Sequence, residues 1–260
     1  MIIRYFHMTL AIALCLPFPG TAAAAAPATV QVVSTMNRLD QPVGITEGSP
    51  GVFYSQGDSA NATAFSITTQ GAITILTSFP PRYSISPPVS ASNGRLYSGV
   101  VDPSSESLFS VSPAPHSKQL YPNLSVAPIP TENLPDGTLL GLAIDSSSNW
   151  YLAKYDLKGG VATIYQFPSG ERLPHTAIYA SDGNYYGLSI GQYGNGYVYR
   201  VTQSGSLTKL LSFPNYAFPG SPNFEPLLQA ADGNLYGTTA NGSASHTGTF
   251  YKLTLAGQYT

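Results

Sequence analysis

The sequence predicts an all-β fold: a five-bladed β-propeller of four-stranded blades, closed by an N-terminal strand that completes the last blade. Three observations predict it. A turn-and-strand segment recurs five times at near-equal spacing, two further strand-like elements recur with it, and the one copy missing from the series is present near the start of the chain. A period of about 40–50 residues with four strands per unit is that of a propeller blade.

The recurring turn segments are Ser49 to Ser55, Ser92 to Ser98, Pro135 to Gly141, Ser181 to Gly187 and Ala231 to Gly237. Their sixth residues, Tyr54, Tyr97, Leu140, Tyr186 and Tyr236, lie 43, 43, 46 and 50 residues apart. Asp-Gly or Asn-Gly ahead of a β-prone pair reads as a hairpin turn entering a strand, because glycine tolerates positive φ. The next element comprises Ala64 to Gly71, Leu108 to Ser112, Leu152 to Gly159, Val198 to Gly205 and Phe250 to Gly257. It alternates with period two and mostly ends in glycine, as a half-buried strand before a turn does. A last element follows in four units: Ile73 to Phe79, Lys118 to Tyr121, Ala162 to Phe167 and Leu207 to Phe213. The fifth copy is expected at Val30 to Met36, which has the same apolar–polar rhythm and should pair with the sheet containing Phe250 to Leu255. A two-sheet sandwich of irregular hairpins would explain neither the spacing nor the displaced strand.

Composition narrows the function. Of the 260 residues only 9% are charged, against about 25% in ordinary soluble domains, and 18 tyrosines share the polar surface with Ser, Thr and Asn. With 11 Lys and Arg scattered singly and a net charge of −2, no basic stripe exists to neutralise phosphates, and nucleic acid is excluded as a partner. The first residues carry Arg4, an apolar run from Met8 to Phe18 and an alanine string from Ala22 to Ala26. This is the pattern of a signal peptide, and the run is too short for a span of about 20 residues. Residues 1–26 are read as the leader and 27–260 as one propeller domain, secreted or periplasmic after cleavage between Ala23 and Pro27, with no membrane span and a monomeric state expected. The only cysteine, Cys15, leaves with the leader, so stability must come from packing and sheet closure rather than disulfides.

The fifth unit, Pro226 to Thr239 with Gly248 to Thr254, resembles the GloVer-type tandem repeat of exported bacterial proteins, whose units read Asp-Gly-Asn-aromatic-Tyr-Gly-Thr-Thr and then Gly-Thr-Val-Phe-Lys. The fourth unit matches well and the first three loosely. The resemblance implies export and a propeller-like repeat and brings no activity with it. A weaker similarity, resting on the Asp-Gly-Asn-Leu turn, runs to the streptogramin-lyase propellers.

Motifs for chemistry are sparse. His116, His175 and His246 have no second ligand at close spacing, so no metal site and no cofactor is expected. No nucleophile elbow, phosphate loop or dinucleotide fingerprint occurs. Asp182 and Asp232 read as turn formers, Trp150 as a blade-core filler, and Lys154, Arg200 and Lys252 as one recurring structural position on a solvated strand face. The loops entering each blade, Pro80 to Pro87, Tyr121 to Pro130, Pro168 to His175 and Pro214 to Glu225, are rich in Tyr, Phe, Asn and Ser, a set that suits neutral sugars. Aligning the units on their turn glycines puts Glu47, Ser90, Asn133, Tyr179 and Gln229 at one position four residues earlier. The adjacent register, Thr46, Val89, Glu132, Ile178 and Leu228, is more apolar and is assigned to packing between blades. The polar set is therefore expected to line the channel, with His175 and Glu225 at its mouth. These seven form the candidate ligand site, with no catalytic residue assigned. The reading is a secreted binding or scaffold module, its partner an extracellular glycan or cell-envelope polymer. The alternative is a secreted carbohydrate-active enzyme with a central-channel site, for which Glu47, Glu132 and Glu225 lie near the inner strands and two carboxylates about 5–9.5 Å apart would be needed.

Overall fold

The structure is a computed structural model. It describes residues 42–57, 62–80, 83–101, 105–112, 117–190, 196–213, 227–239 and 249–260, and among these the side chains of all but 42, 43 and 172–176. The molecule is all-β, a five-bladed propeller of antiparallel sheets. The first blade runs through β1 (Pro42–Ser49), β2 (Val52–Gly57), β3 (Thr63–Thr68) and β4 (Ile73–Ser78). In the second, β5 (Ser84–Ile85) and β6 (Val89–Ser90) both pair with β7 (Leu96–Val101), followed by β8 (Glu106–Val111) and β9 (Lys118–Leu124). Pro87 and Pro88 split this inner strand because neither can donate to the ladder. The third blade comprises β10 (Val126–Asn133), β11 (Leu139–Asp145), β12 (Trp150–Tyr155) and β13 (Val161–Gln166), and the fourth β14 (Arg172–Tyr179), β15 (Tyr185–Ile190), β16 (Gly196–Val201) and β17 (Leu207–Ser212). Of the fifth, the described strands are β18 (Leu228–Gln229), β19 (Leu235–Thr239) and β20 (Thr249–Leu253). Val30 to Met36, expected as its closing strand, lies outside the described residues. So do the leader and Glu225.

The recurring glycine turns are local hydrogen-bonded structures. Gly94, Gly137, Gly183 and Gly233 sit at φ of +73° to +82°, and each N–H donates to the carbonyl three residues back. The second turn, closing β3, β12, β16 and β20, repeats the geometry at Gly71, Gly159, Gly205 and Gly257. Its first residue, Thr68, Asp156, Thr202 or Thr254, caps it by accepting an amide through its side chain.

The core is a series of wedges between successive blades. The motif residues Tyr54, Tyr97, Leu140 and Tyr186 face forward onto the next blade, while Leu96, Leu139, Tyr185 and Leu235 face back. Three of the fourth strands end in a buried phenylalanine that meets an aromatic ring of the following blade. These pairs are Phe79 on Phe109, Phe167 on Tyr199 and Phe213 on Tyr251, with centroids 4.9–5.3 Å apart. The small residue across from that ring makes room for it: Gly187 is the partner of Tyr199 and Gly237 of Tyr251.

The entry loop expected at Tyr121 to Pro130 is a correction to the sequence reading. It is mostly strand, since β9 continues to Leu124 and β10 starts at Val126. Prolines 122, 128 and 130 are tolerated there because β9 is the outer edge of its sheet and β10 the inner edge of the next. A missing N–H on the open side of an edge strand leaves no ladder bond unmade.

Candidate functional site

The five aligned positions lie at the end of the inner strands, beside the first glycine turns. This is the rim opposite the entry loops, since an antiparallel meander puts those turns and the loops at opposite ends. Three of the five are tied down by hydrogen bonds within the rim, and a fourth packs on a ring of its own blade. Asn133 Oδ1 accepts the Ser92 N–H of the preceding blade at 3.2 Å. Gln229 makes the same link between the fourth and fifth blades, accepting from Ser181 N at 2.8 Å while its Nε2 donates to Ser181 Oγ and Gly233 O. Tyr179 is half-buried and packs back against Tyr185, with ring centroids 5.7 Å apart. Ser90 is half-buried, and Glu47, exposed, folds back to accept the N–H of its own turn residue Gly51. Residues of an inner strand alternate between the two neighbouring blades rather than between blade and channel, so both registers face neighbours. That is why the polar register carries inter-blade hydrogen bonds.

The register assigned to packing contains the more unusual group. Glu132 is half-buried, and its Oε2 accepts the Tyr179 N–H from the next blade at 2.6 Å. Burial raises its pKa, partly offset by that hydrogen bond. Beside it Thr131 Oγ1 donates to Ala177 O, another link between the third and fourth blades. His175 pairs through its backbone with Leu188, and its side chain lies outside the described set.

A second polar cluster, on the entry-loop rim, has no signature in the sequence. The Glu171 side chain, only 7% exposed, accepts hydrogen bonds from Ser189 Oγ and Tyr197 OH and lies 3.7 Å from Lys209 Nζ. Lys209 also sits 3.8 Å over the Tyr197 ring. The loop Pro168-Ser-Gly-Glu171 offers no pattern from which this pinning could be read. Trp150 is half-buried against the wedge between the third and fourth blades, as a core filler would be.

The repeated turns account for most of the remaining charge. Asp182 and Asp232 each accept the N–H and side-chain amide of the asparagine two residues on and the hydroxyl of the tyrosine four residues on. Lys154 and Lys252, at the recurring cation position, pair with Asp136 and Asp232 at 2.9 and 3.3 Å. Every described side-chain carboxylate is engaged. Glu47, Glu132, Asp136, Asp145, Asp156, Glu171, Asp182 and Asp232 accept hydrogen bonds from the chain, and Glu106 is not free either. Among the described residues no three His, Cys, Asp or Glu come together as a metal site would require, and no helix is long and apolar enough to cross a membrane.

No family model matches the chain, and no curated protein matches it in sequence. Solved structures do match. Virginiamycin B lyase from Staphylococcus aureus superposes with a TM-score of 0.60 at 18% identity, over 86% of this chain and 70% of that one. TolB from Acinetobacter baumannii gives 0.62 at 13% identity, over 89% of this chain and 55% of its own. The nidogen/laminin complex gives 0.61 at 12%, over 90% and 86%. At these identities the likeness is one of fold. It bears out the propeller that the tandem repeat and the lyase-like turn imply.

Proposed function

We propose that the protein is an exported, non-catalytic binding or scaffold propeller that presents its turn-side rim to a neutral polar polymer, an extracellular glycan or cell-envelope polysaccharide. One observation carries the reading: all the described carboxylates but Glu106 already hold the chain's own amides and hydroxyls, which leaves no unengaged pair among them for acid–base chemistry. What the rim offers instead is the half-buried Tyr179 ring, on the same rim as the Asn133 and Gln229 amides and the Ser181 hydroxyl. Fold does not choose between the readings, because similar propellers include lyases as well as a protein–protein complex. Export on a leader of residues 1–26 belongs to the same proposal and is checked by the mass of the secreted chain, which should begin between Ala23 and Pro27.

The carbohydrate-active alternative draws on Glu132, a half-buried carboxyl whose pKa is raised by burial. A glycan array run beside a hydrolysis screen on one preparation separates the two. Binding without turnover, lost in Tyr179→Ala, supports the module. Reducing-sugar release abolished by Glu132→Gln or Glu225→Gln would overturn it.

A further inference from the structure

The first glycine turn of the second blade differs from those of the fourth and fifth in the group it turns towards its motif tyrosine. In the latter two the residue before the glycine is Asp182 or Asp232. Oδ1 of each accepts the N–H two residues on, and Oδ2 accepts the hydroxyl of Tyr186 or Tyr236 at 2.7 and 2.9 Å. The second blade has Asn93 in that place. Its Oδ1 accepts the Arg95 N–H at 3.0 Å, and because a main-chain N–H can only donate, Nδ2 is fixed on the side of Tyr97. Nδ2 donates to Tyr97 OH at 2.9 Å, so the polarity of the contact is reversed. A tyrosine hydroxyl has one proton. Tyr97 does not give it to its own turn but donates it to Leu157 O, 3.3 Å away in the second turn of the third blade.

Asn93 also precedes Gly94. Both are exposed, and nothing lies within 4 Å of the place a Cβ at residue 94 would take. Before glycine, attack of the next backbone nitrogen on the asparagine amide is least hindered, because no Cβ shields that nitrogen. A bond forms between Gly94 N and Asn93 Cγ, the Cγ–Nδ2 bond breaks and ammonia leaves. Water then opens the cyclic imide at either carbonyl, to aspartate or isoaspartate. The other described asparagines precede Leu124, Leu134, Trp150, Tyr185 and Leu235, all bulky. In the closed turn Gly94 N–H donates to Ala91 O at 2.9 Å and both ends of the Asn93 amide are held, so the reaction passes through an opened turn.

We propose that Asn93 is a deamidation site, and that its conversion to aspartate releases the Tyr97 link between the second and third blades. The product fits the turn, since Asp182 and Asp232 hold the same place in theirs. It puts an acceptor where Nδ2 stood. Two acceptors cannot face each other without a proton between them, so Tyr97 turns its proton back to residue 93, as Tyr186 and Tyr236 do, and Leu157 O loses its donor. A change at one exposed turn is thereby felt in the next blade.

The test of the site follows the full chain in mildly alkaline buffer, folded and unfolded in guanidinium chloride, by peptide mapping of aspartate and isoaspartate at position 93. Conversion is expected in both, slower in the folded chain and faster in folded Tyr97→Phe, which lacks one hold on the amide. Asn93 still intact in the folded chain when the unfolded chain has converted it fully overturns the site. The link is read by hydrogen exchange over Tyr155 to Gly160 in Asn93→Asp, which supplies the aspartate product without ageing. Exchange there should rise about two- to tenfold, as loss of one hydrogen bond implies, and reach the level of Tyr97→Phe. Asn93→Asp should add nothing further in a Tyr97→Phe background. Asn93→Ala removes Nδ2 without supplying an acceptor and should exchange as the parent does. Unchanged exchange in Asn93→Asp, or an equal rise in Asn93→Ala, overturns the link.

Discussion

The turn aspartates are held ionised by donors close to them in the chain and, for Asp136 and Asp232, by a lysine two strands on. Asp145 is brought down to about 2, chiefly by the Asn149 side-chain amide, and Asp136 to about 2, chiefly by the Thr138 hydroxyl and then Lys154. In both, the folded pKa lies below the unfolded value of about 3.9, so their contribution is present above that value and lost as pH falls towards about 2. Thermal melts should therefore decline between about pH 4 and 2. An Asp136→Asn/Asp145→Asn variant should show a shallower decline, and an unchanged acid limb would remove these two groups from the account. Glu132 has the opposite sign, because burial raises its folded pKa and its contribution is lost as pH rises through that value. Glu132→Gln keeps an acceptor for the Tyr179 N–H and should melt at or above wild type at pH 7, by on the order of 1 kcal/mol or less, with the difference closing near pH 4. A lower Tm at pH 7 would mean that the charge itself is needed. One motif tyrosine works at this scale too: Tyr97 OH donates to Leu157 O, reaching the second turn of the next blade.

Among the elements, the turns are the most legible from sequence, since a positive-φ glycine preceded by Asp or Asn is determined within five residues. Two glycines separate backbone conformation from space. Gly94 has φ +73° and nothing within 4 Å of the place a Cβ would take, whereas a Cβ at Gly99 would overlap the Pro128 carbonyl of the next blade. Gly94→Ala should cost about 1–2 kcal/mol through φ alone, and Gly99→Ala about 1–3 kcal/mol through overpacking. Urea midpoints of Ala and Asn variants at each site would show the difference, because asparagine tolerates positive φ and should recover part of the Gly94 cost, whereas any side chain at Gly99 meets the same backbone carbonyl. What the sequence conceals is direction. Period two identifies a strand but not which neighbour each face meets, so the polar register of Asn133 and Gln229 reads as channel lining although it reaches the preceding blade. The proline-rich Tyr121 to Pro130 reads as a loop because edge position, which makes proline harmless, is a property of the assembled sheet. The Glu171 cluster depends on Ser189 and Tyr197 from two other strands and has no local signal at all.

At the scale of the molecule, cohesion is uneven around the ring. Leu108, Leu152 and Val198, at one position in the second, third and fourth blades, are fully buried, whereas Phe250 at the same position of the fifth is 71% exposed and Leu228 in the same sheet 65%. Amides of β19 and β20 should accordingly exchange with deuterium faster than those of β11 and β12, and equal protection would contradict this ordering. Gln229→Ala removes two hydrogen bonds to the fourth blade and one to its own turn, and should lower stability by about 1–3 kcal/mol in urea titrations. The inter-blade links of Asn133, Glu132 and Gln229 share one further property: each ends on a backbone N–H, of Ser92, Tyr179 and Ser181. A main-chain amide is present whatever side chain occupies the receiving position, so a substitution there leaves the link intact unless it introduces proline. Only the reaching residue is constrained, and neighbouring units can diverge almost independently while the ring stays joined, which suits a chain whose five repeats have kept their turns and drifted nearly everywhere else.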